Sequence, residues 1–215
     1  NWGTAGYDGR PGHYWSNWGL CNALAVISFG ILCDDVHIYN QGLSYYKYDQ
    51  VGNWKESTGD YVTNYGLTEY LGHLVPALGT DDRGPYGKLG QMQESGRDQG
   101  HATMALGLAV DICQTAWSQG DDLYSYMDNR LAAGIEGLAA YNFGGVDNGP
   151  WTNYGYADCR TAWHNAWVQT GHNGGSRGQC RAYWARIVGH YEGVKGVKMK
   201  YSEIGLNNMG IDDGG

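Results

Sequence analysis

Residues 18–35 carry Leu20, Leu24, Ile27 and Ile31 on one helical spacing and Val26, Phe29 and Cys33 on the others, with few polar positions between. Such a run predicts a helix buried all round and placed in an inner layer, with Ser16 or Asn17 as its N-cap. A second pattern starts at a polar knot, residues 94–101 (ESGRDQGH), and continues into Met104, Leu108, Ile112 and Ala116 at four-residue steps. That is one face of a buried helix. After a short link at residues 119–122, Asp121 and Asp122 open a further helix with Leu123, Tyr126, Met127, Leu131, Ile135 and Leu138, ending near Asn142 and Gly144. The two form an antiparallel hairpin.

The remaining pattern is weaker. Residues 66–78, 157–169 and 179–193 read as helices, and residues 1–15, 56–65, 80–86, 143–156 and 172–178 as loops or turns. Residues 36–54 suit either an irregular loop or a short helix, and the tail from residue 201 is loop-like. With about six helices, no alternating strand pattern and no short-period repeat, the class is all-α and the 215 residues form one domain.

Charge and composition narrow the ligand. The net charge of -8 favours neither nucleic acid nor an anionic membrane surface, so an anionic ligand needs a local cluster of Arg, His and amide donors. The chain has 36 Gly, 18 Tyr and 9 Trp but only 2 Phe, a balance that suits a cleft for a polyhydroxylated ligand, with ring faces against C–H groups and polar tips on hydroxyls. The five cysteines have no CxxC spacing; Cys21 and Cys33 on one helix would lie about 18 Å apart, beyond disulfide reach. Cys159 and Cys180 flank a loop and could pair in an oxidising compartment. No run has the length of a membrane span. The first residues lack the pattern of a signal peptide, and the expectation is a processed or truncated, secreted product.

Four stretches concentrate reactive groups: WSNW (15–18), ESGRDQGH (94–101), GHNGGSRGQCR (171–181) and RIVGHY (186–191). The histidines stand at no metal-ligand spacing, and no GxSxG, P-loop or dinucleotide fingerprint is present, so no metal or cofactor is expected. Arg97 and His101 are four apart and would share a face if the helix has begun at Arg97. A guanidinium beside an imidazole can bind a carboxylate and keep the ring ready to accept a proton. The alternative is that Glu94, Arg97 and Asp98 form a structural ion-pair network beside a half-buried histidine.

On ESGRDQGH, the following WSQGDDLYSYMDNRLAAGIEGLAAYN, the preceding WSNWGLCNALAVISFGILCDD and the later RGQCRAYWARIVGHYEGVKG, the chain resembles the alginate-lyase-like helical polysaccharide lyases, in the branch of glucuronan and alginate lyases. The resemblance runs from Trp15 to about Lys200. It implies an (α/α) toroid of helical hairpins, here an incomplete piece that a second chain or fragment would complete. It also implies β-elimination on an acidic, β-1,4-linked uronate polymer without a metal: a donor neutralises the C5 carboxylate, a Tyr or His takes the α-proton, and a Tyr or His protonates the O4 leaving group.

Carried onto this chain, the resemblance makes Asn17 a candidate carboxylate neutraliser, with a plain N-cap as its alternative, Arg97 the group that holds the uronate, and His101 the neutraliser or base. Trp15, Trp18, Glu94, Gln99, His190 and Arg181 complete the substrate-binding set. The motif's tyrosine is missing, since Thr103 and Met104 stand about where it is expected. The acid/base tyrosine would then be Tyr191, beside His190, with Tyr39, Tyr45 and Tyr86 as further candidates. Two other readings compete: a toroid glycoside hydrolase using Glu94 and Asp98, and a non-catalytic carbohydrate-binding or structural protein.

Overall fold

A computed structural model describes residues 17–48, 93–147, 154–156, 167–179 and 181–209. They are all-α in class: α1 (Asn17–Leu32), α2 (Val36–Tyr48), a 3-10 turn (Gln93–Gly96), α3 (Gln99–Trp117), α4 (Tyr126–Asn142), α5 (Trp184–Val188), which runs on as a π-helical turn (Gly189–Val194), and α6 (Lys200–Met209). The helices expected at residues 66–78 and the loops at 1–15, 56–65 and 80–86 lie outside the described residues.

The chain turns from α1 into α2 in three residues. Asp34 takes a positive φ of 53°, and Asp35 Oδ1 accepts from the amides of His37 and Ile38, satisfying first-turn donors of α2. Gly30 and Gly42 let the two helices close: a Cβ on Gly30 would stand 2.4 Å from the Tyr39 nitrogen, and one on Gly42 2.4 Å from Ile27 Cγ1. The segment from residue 36, open between loop and helix in sequence, is therefore helical to Tyr48.

α1 is not buried all round. Leu20, Ala23, Ile27 and Gly30 face inward, whereas Cys21, Ala25, Ser28, Phe29 and Leu32 are exposed. The stretch buried on every side is in α4, whose residues 131–142 are all buried. Its small residues, Ala132, Ala133, Gly134, Gly137, Ala139 and Ala140, let neighbours approach from every side. α3 buries a seam rotated from the expected one: Ala102, Ala105, Leu106, Ala109, Ile112, Cys113 and Ala116 are buried, while Met104 and Leu108 are only half-buried. Against this seam Tyr46 is wholly buried, its hydroxyl 3.1 Å from Cys113 Sγ. Burial pushes the Cys113 thiol up to about 12, so it acts as core rather than nucleophile.

Three boundaries depart from expectation. α4 begins at Tyr126, because Asp122 Oδ1 and Oδ2 accept from the Ser125 amide and hydroxyl and hold residues 122–125 as a turn; Lys195 Nζ donates to the same carboxylate at 2.6 Å. Part of the expected helix at 157–169 is extended: Trp167–Gln169 pairs antiparallel with Tyr154–Tyr156, in register Tyr154 to Gln169. The tail read as loop-like contains α6.

Glu136 explains why α6 forms there. This carboxylate, fully buried on α4, accepts from the amides of Tyr201 (3.0 Å) and Ser202 (2.8 Å) and from the Ser202 hydroxyl (2.7 Å). It thereby satisfies first-turn donors that α6 cannot pair internally. Burial raises the Glu136 carboxyl above its ordinary value even though those three bonds pull it down. Below the contact, Gly205 sits against Phe143 and Trp184, whose rings meet edge-on at 5.4 Å. Replacing Glu136 by Ala strips the carboxylate from these donors and is expected to cost about 3 kcal/mol in urea unfolding; an unchanged midpoint would show that α6 docks without it.

Candidate functional site

The head of α3 is built by residues that bind one another more than they face solvent. The 3-10 turn reverses the chain into Asp98, which is extended (φ -163°, ψ 161°) and caps α3, its Oδ1 accepting from the His101 amide at 2.9 Å. Its other oxygen, Oδ2, lies 2.6 Å from His101 Nδ1. The two His101 bonds outweigh the effect of burial and, with Arg97 nearby, hold the Asp98 carboxyl below its ordinary value. An ionised carboxylate only accepts, so the proton of this bond is on Nδ1, which turns Nε2 away from Asp98. The His101 side chain is 38% exposed, and Nε2 has no hydrogen-bond partner among the described residues.

Two further contacts immobilise this turn. Asn17 Nδ2 donates to the His101 carbonyl at 3.2 Å, tying the start of α1 to the first turn of α3. Gln99, wholly buried, donates from Nε2 to the carbonyls of Ser95 (3.2 Å) and Asn173 (2.9 Å), accepts from Asn142 Nδ2 at 2.8 Å, and donates its own amide to the Gly175 carbonyl at 2.7 Å. One side chain thus joins the 3-10 turn, the end of α4 and the loop at residues 172–178.

These contacts revise several expected roles. Asn17, 4% exposed, and Gln99 hold the scaffold and are too buried to meet a substrate. Glu94 is also fully buried, paired with Arg97 Nη1 at 3.6 Å. Arg97 precedes the helix instead of sharing a face with His101, yet its side chain is 42% exposed and its Nε is 4.0 Å from Asp98, which keeps it at the mouth of the dyad. Arg181 also stays at the site: its Nε reaches Thr103 Oγ1 at 3.3 Å and its Nη2 the Gly100 carbonyl at 3.4 Å, beside an open cleft of about 200 Å3 along Met104, Leu108 and Asp111. The Trp18 backbone is in the first turn of α1, while Trp15, Tyr86 and the Cys159–Cys180 pair lie outside the described residues.

His190 and Tyr191 belong to the other end of α3. His190 stacks on Tyr124 (3.7 Å between centroids) and meets Trp117 edge-on at 4.8 Å; the wholly buried Tyr191 donates its hydroxyl to the Tyr124 carbonyl at 3.0 Å. At about 1.5 Å per residue, Trp117 is about 24 Å along the helix from His101, so neither residue can act on a group held there. Tyr39 is also elsewhere, donating to Asp121 Oδ2 at 2.7 Å.

A different tyrosine packs against the loop at residues 172–178. Tyr141, in the last turn of α4, is sandwiched between the His172 ring (4.2 Å, 13° between planes) and the Arg177 guanidinium (4.2 Å from the ring centroid). Arg177 is fixed by the Tyr141 carbonyl at 2.9 Å and by Asp147. The loop packs at ordinary contact distance on both of its neighbours: a Cβ on Gly174 would stand 3.4 Å from the Tyr141 hydroxyl, and one on Gly175 3.4 Å from Asp98 Cβ.

Burial drives the His172 imidazole down to about 4, against a hydrogen bond with the Ser95 backbone that favours the charged ring, and Arg177 pushes it the same way as burial. The unfolded chain therefore takes up a proton between about pH 6.5 and 4 that the folded chain refuses, and stability falls as pH drops through that window. The contribution is at most about 3 kcal/mol. His190, also lowered by burial and Lys195, adds a slope of the same sign. Unfolding midpoints between pH 7 and 4 are expected to flatten in part in His172→Gln, and an unaltered slope would contradict this account.

Comparison with models of known protein families, with curated proteins and with solved structures finds no match to this chain.

Proposed function

We propose that the chain is a polysaccharide lyase that cleaves a β-1,4-linked uronate polymer, glucuronan or alginate, by β-elimination, on an (α/α) toroid-type helical fold and outside the cell. The observation that carries the reading is the Asp98–His101 pair: a carboxylate fixes the imidazole through Nδ1 at 2.6 Å and leaves Nε2 at an accessible mouth flanked by Arg97. In this reading Arg97 and Arg181 receive the uronate carboxylate. Pairing it with a guanidinium lowers the cost of the charge that develops when the C5 proton leaves, and His101 Nε2 takes that proton. Asp98 fixes the tautomer and stabilises the imidazolium that results.

The hydrolase alternative finds less support. It needs two carboxyl groups flanking a glycosidic bond, whereas Glu94 is buried and Asp98 is committed to His101.

The test supplies glucuronan, polymannuronate and polyguluronate separately and follows absorbance at about 235 nm, where an unsaturated uronate product absorbs. A rise is expected with at least one polymer. His101→Ala should abolish it, and Asp98→Asn should lower kcat by about 100-fold or more while leaving KM within a few-fold. Reducing ends without the chromophore would indicate hydrolysis, and binding with neither product would leave a carbohydrate-binding protein.

A further inference from the structure

Between His101 and Asp111 every residue of α3 is buried except Met104, Gly107 and Leu108. Steps of three and four residues join His101, Met104, Leu108 and Asp111, so the dyad and these positions stand along one uncovered side of the helix. The cleft of about 200 Å3 opens on that side, lined by Met104, Gly107, Leu108 and Asp111 of α3 and by Arg181 and Tyr183 opposite. We propose that this cleft binds the uronate next along the polymer from the pair whose bond is cleaved, Arg181 holding its carboxylate and Met104 and Leu108 meeting its C–H face. The proposal rests on the lyase reading and divides the two guanidiniums of that reading: Arg97 serves the reacting sugar and Arg181 its neighbour.

The charges carry it first. Arg97, Arg177 and Arg186 each pair with a carboxylate. Arg181 pairs with none among the described residues: it is half-buried, and it donates to two neutral oxygens, Thr103 Oγ1 and the Gly100 carbonyl. Asp111, the carboxylate that lines the cleft, is taken by Arg186 at 2.6 Å. The cleft therefore presents one uncompensated guanidinium, and an entering carboxylate supplies the counter-ion that the fold does not.

Position and shape agree with that charge. Gly100 directly precedes His101, so the bond to its carbonyl places Arg181 at the end of the cleft nearest the dyad. Met104 and Leu108 lie about 4.5 and 10.5 Å along the axis from His101, in the direction a linked sugar chain would continue. A Cβ on Gly107 would stand 3.1 Å from Tyr183 Cδ1, so Tyr183 packs on the bare helix backbone and closes the far side. Two half-exposed apolar side chains beside a single charged group make a surface that suits one acidic sugar ring.

The test is calorimetry on the full chain carrying His101→Ala, which stops turnover. The probes are dimers and trimers of mannuronate, guluronate and glucuronate, and the methyl esters of the trimers. At least one trimer is expected to bind about tenfold or more tighter than its dimer. Adding Arg181→Gln should remove that gain, and so should Leu108→Glu, which puts a carboxylate where the ligand's would lie. Leu108 is half-exposed, so Leu108→Glu should unfold at the parent temperature. The methyl esters should bind alike with and without Arg181→Gln. With His101 in place, Leu108→Glu should raise KM on the polymer about tenfold with kcat within a few-fold.

A gain from dimer to trimer that persists in both variants, or that never appears, would overturn the subsite while leaving the lyase reading intact. So would equal losses of Arg181→Gln on acid and ester. A gain that needs Arg181, in a wild-type chain that forms unsaturated product from no polymer, would support the subsite and overturn the lyase reading.

Discussion

Everything at the head of α3 depends on the capping of its first turn by Asp98. The first amides of a helix have no internal partner, and a carboxylate placed there satisfies one of them while meeting the positive end of the helix dipole. Here the same carboxylate has a second oxygen to spare, and it takes the ring of the residue whose backbone it caps. The imidazole therefore cannot rotate without releasing its bond to the capping carboxylate. Asn17 on the His101 carbonyl closes the turn from the α1 side, so three bonds through one residue fix where Nε2 points. Such a group is held in one orientation by the fold itself, which is what preorganisation of a side chain means physically.

That rigidity is extended by close packing. α4 reaches the site only because it is buried along residues 131–142 with small residues on most sides, and its end delivers both Asn142 to Gln99 and Tyr141 to the glycine loop. Gln99 converts three otherwise separate segments into one body by satisfying two carbonyls and one amide donor out of contact with solvent. A buried amide with all of these partners is costly to replace, because each partner would be left unpaired. The 3-10 turn, the end of α4 and the loop thus share one polar node.

The sequence made the central hairpin and the knot legible because apolar spacing and clustered charge are local signals. The runs through Met104 and Leu131 place α3 and α4 within a few residues, and ESGRDQGH marks the helix head without any knowledge of its neighbours. The errors arise where a partner distant in the chain decides. α1 is as apolar as a buried helix, but its outer face, with Phe29 and Leu32, is left uncovered. α6 has a weak pattern of its own and forms where Glu136, more than sixty residues away, supplies the missing acceptors. Trp167–Gln169 is extended because Tyr154–Tyr156 offers it a ladder.

The same distinction sorts the polar residues of the site. Asn17, Glu94, Gln99, His190 and Tyr191 all look like ligand groups when read one at a time, because amides, carboxylates, imidazoles and phenols are what ligands meet. Burial separates them: all five are almost wholly removed from solvent. His101, Arg97 and Arg181 keep exposed or half-exposed side chains at the head of one helix, where a solute has access to them.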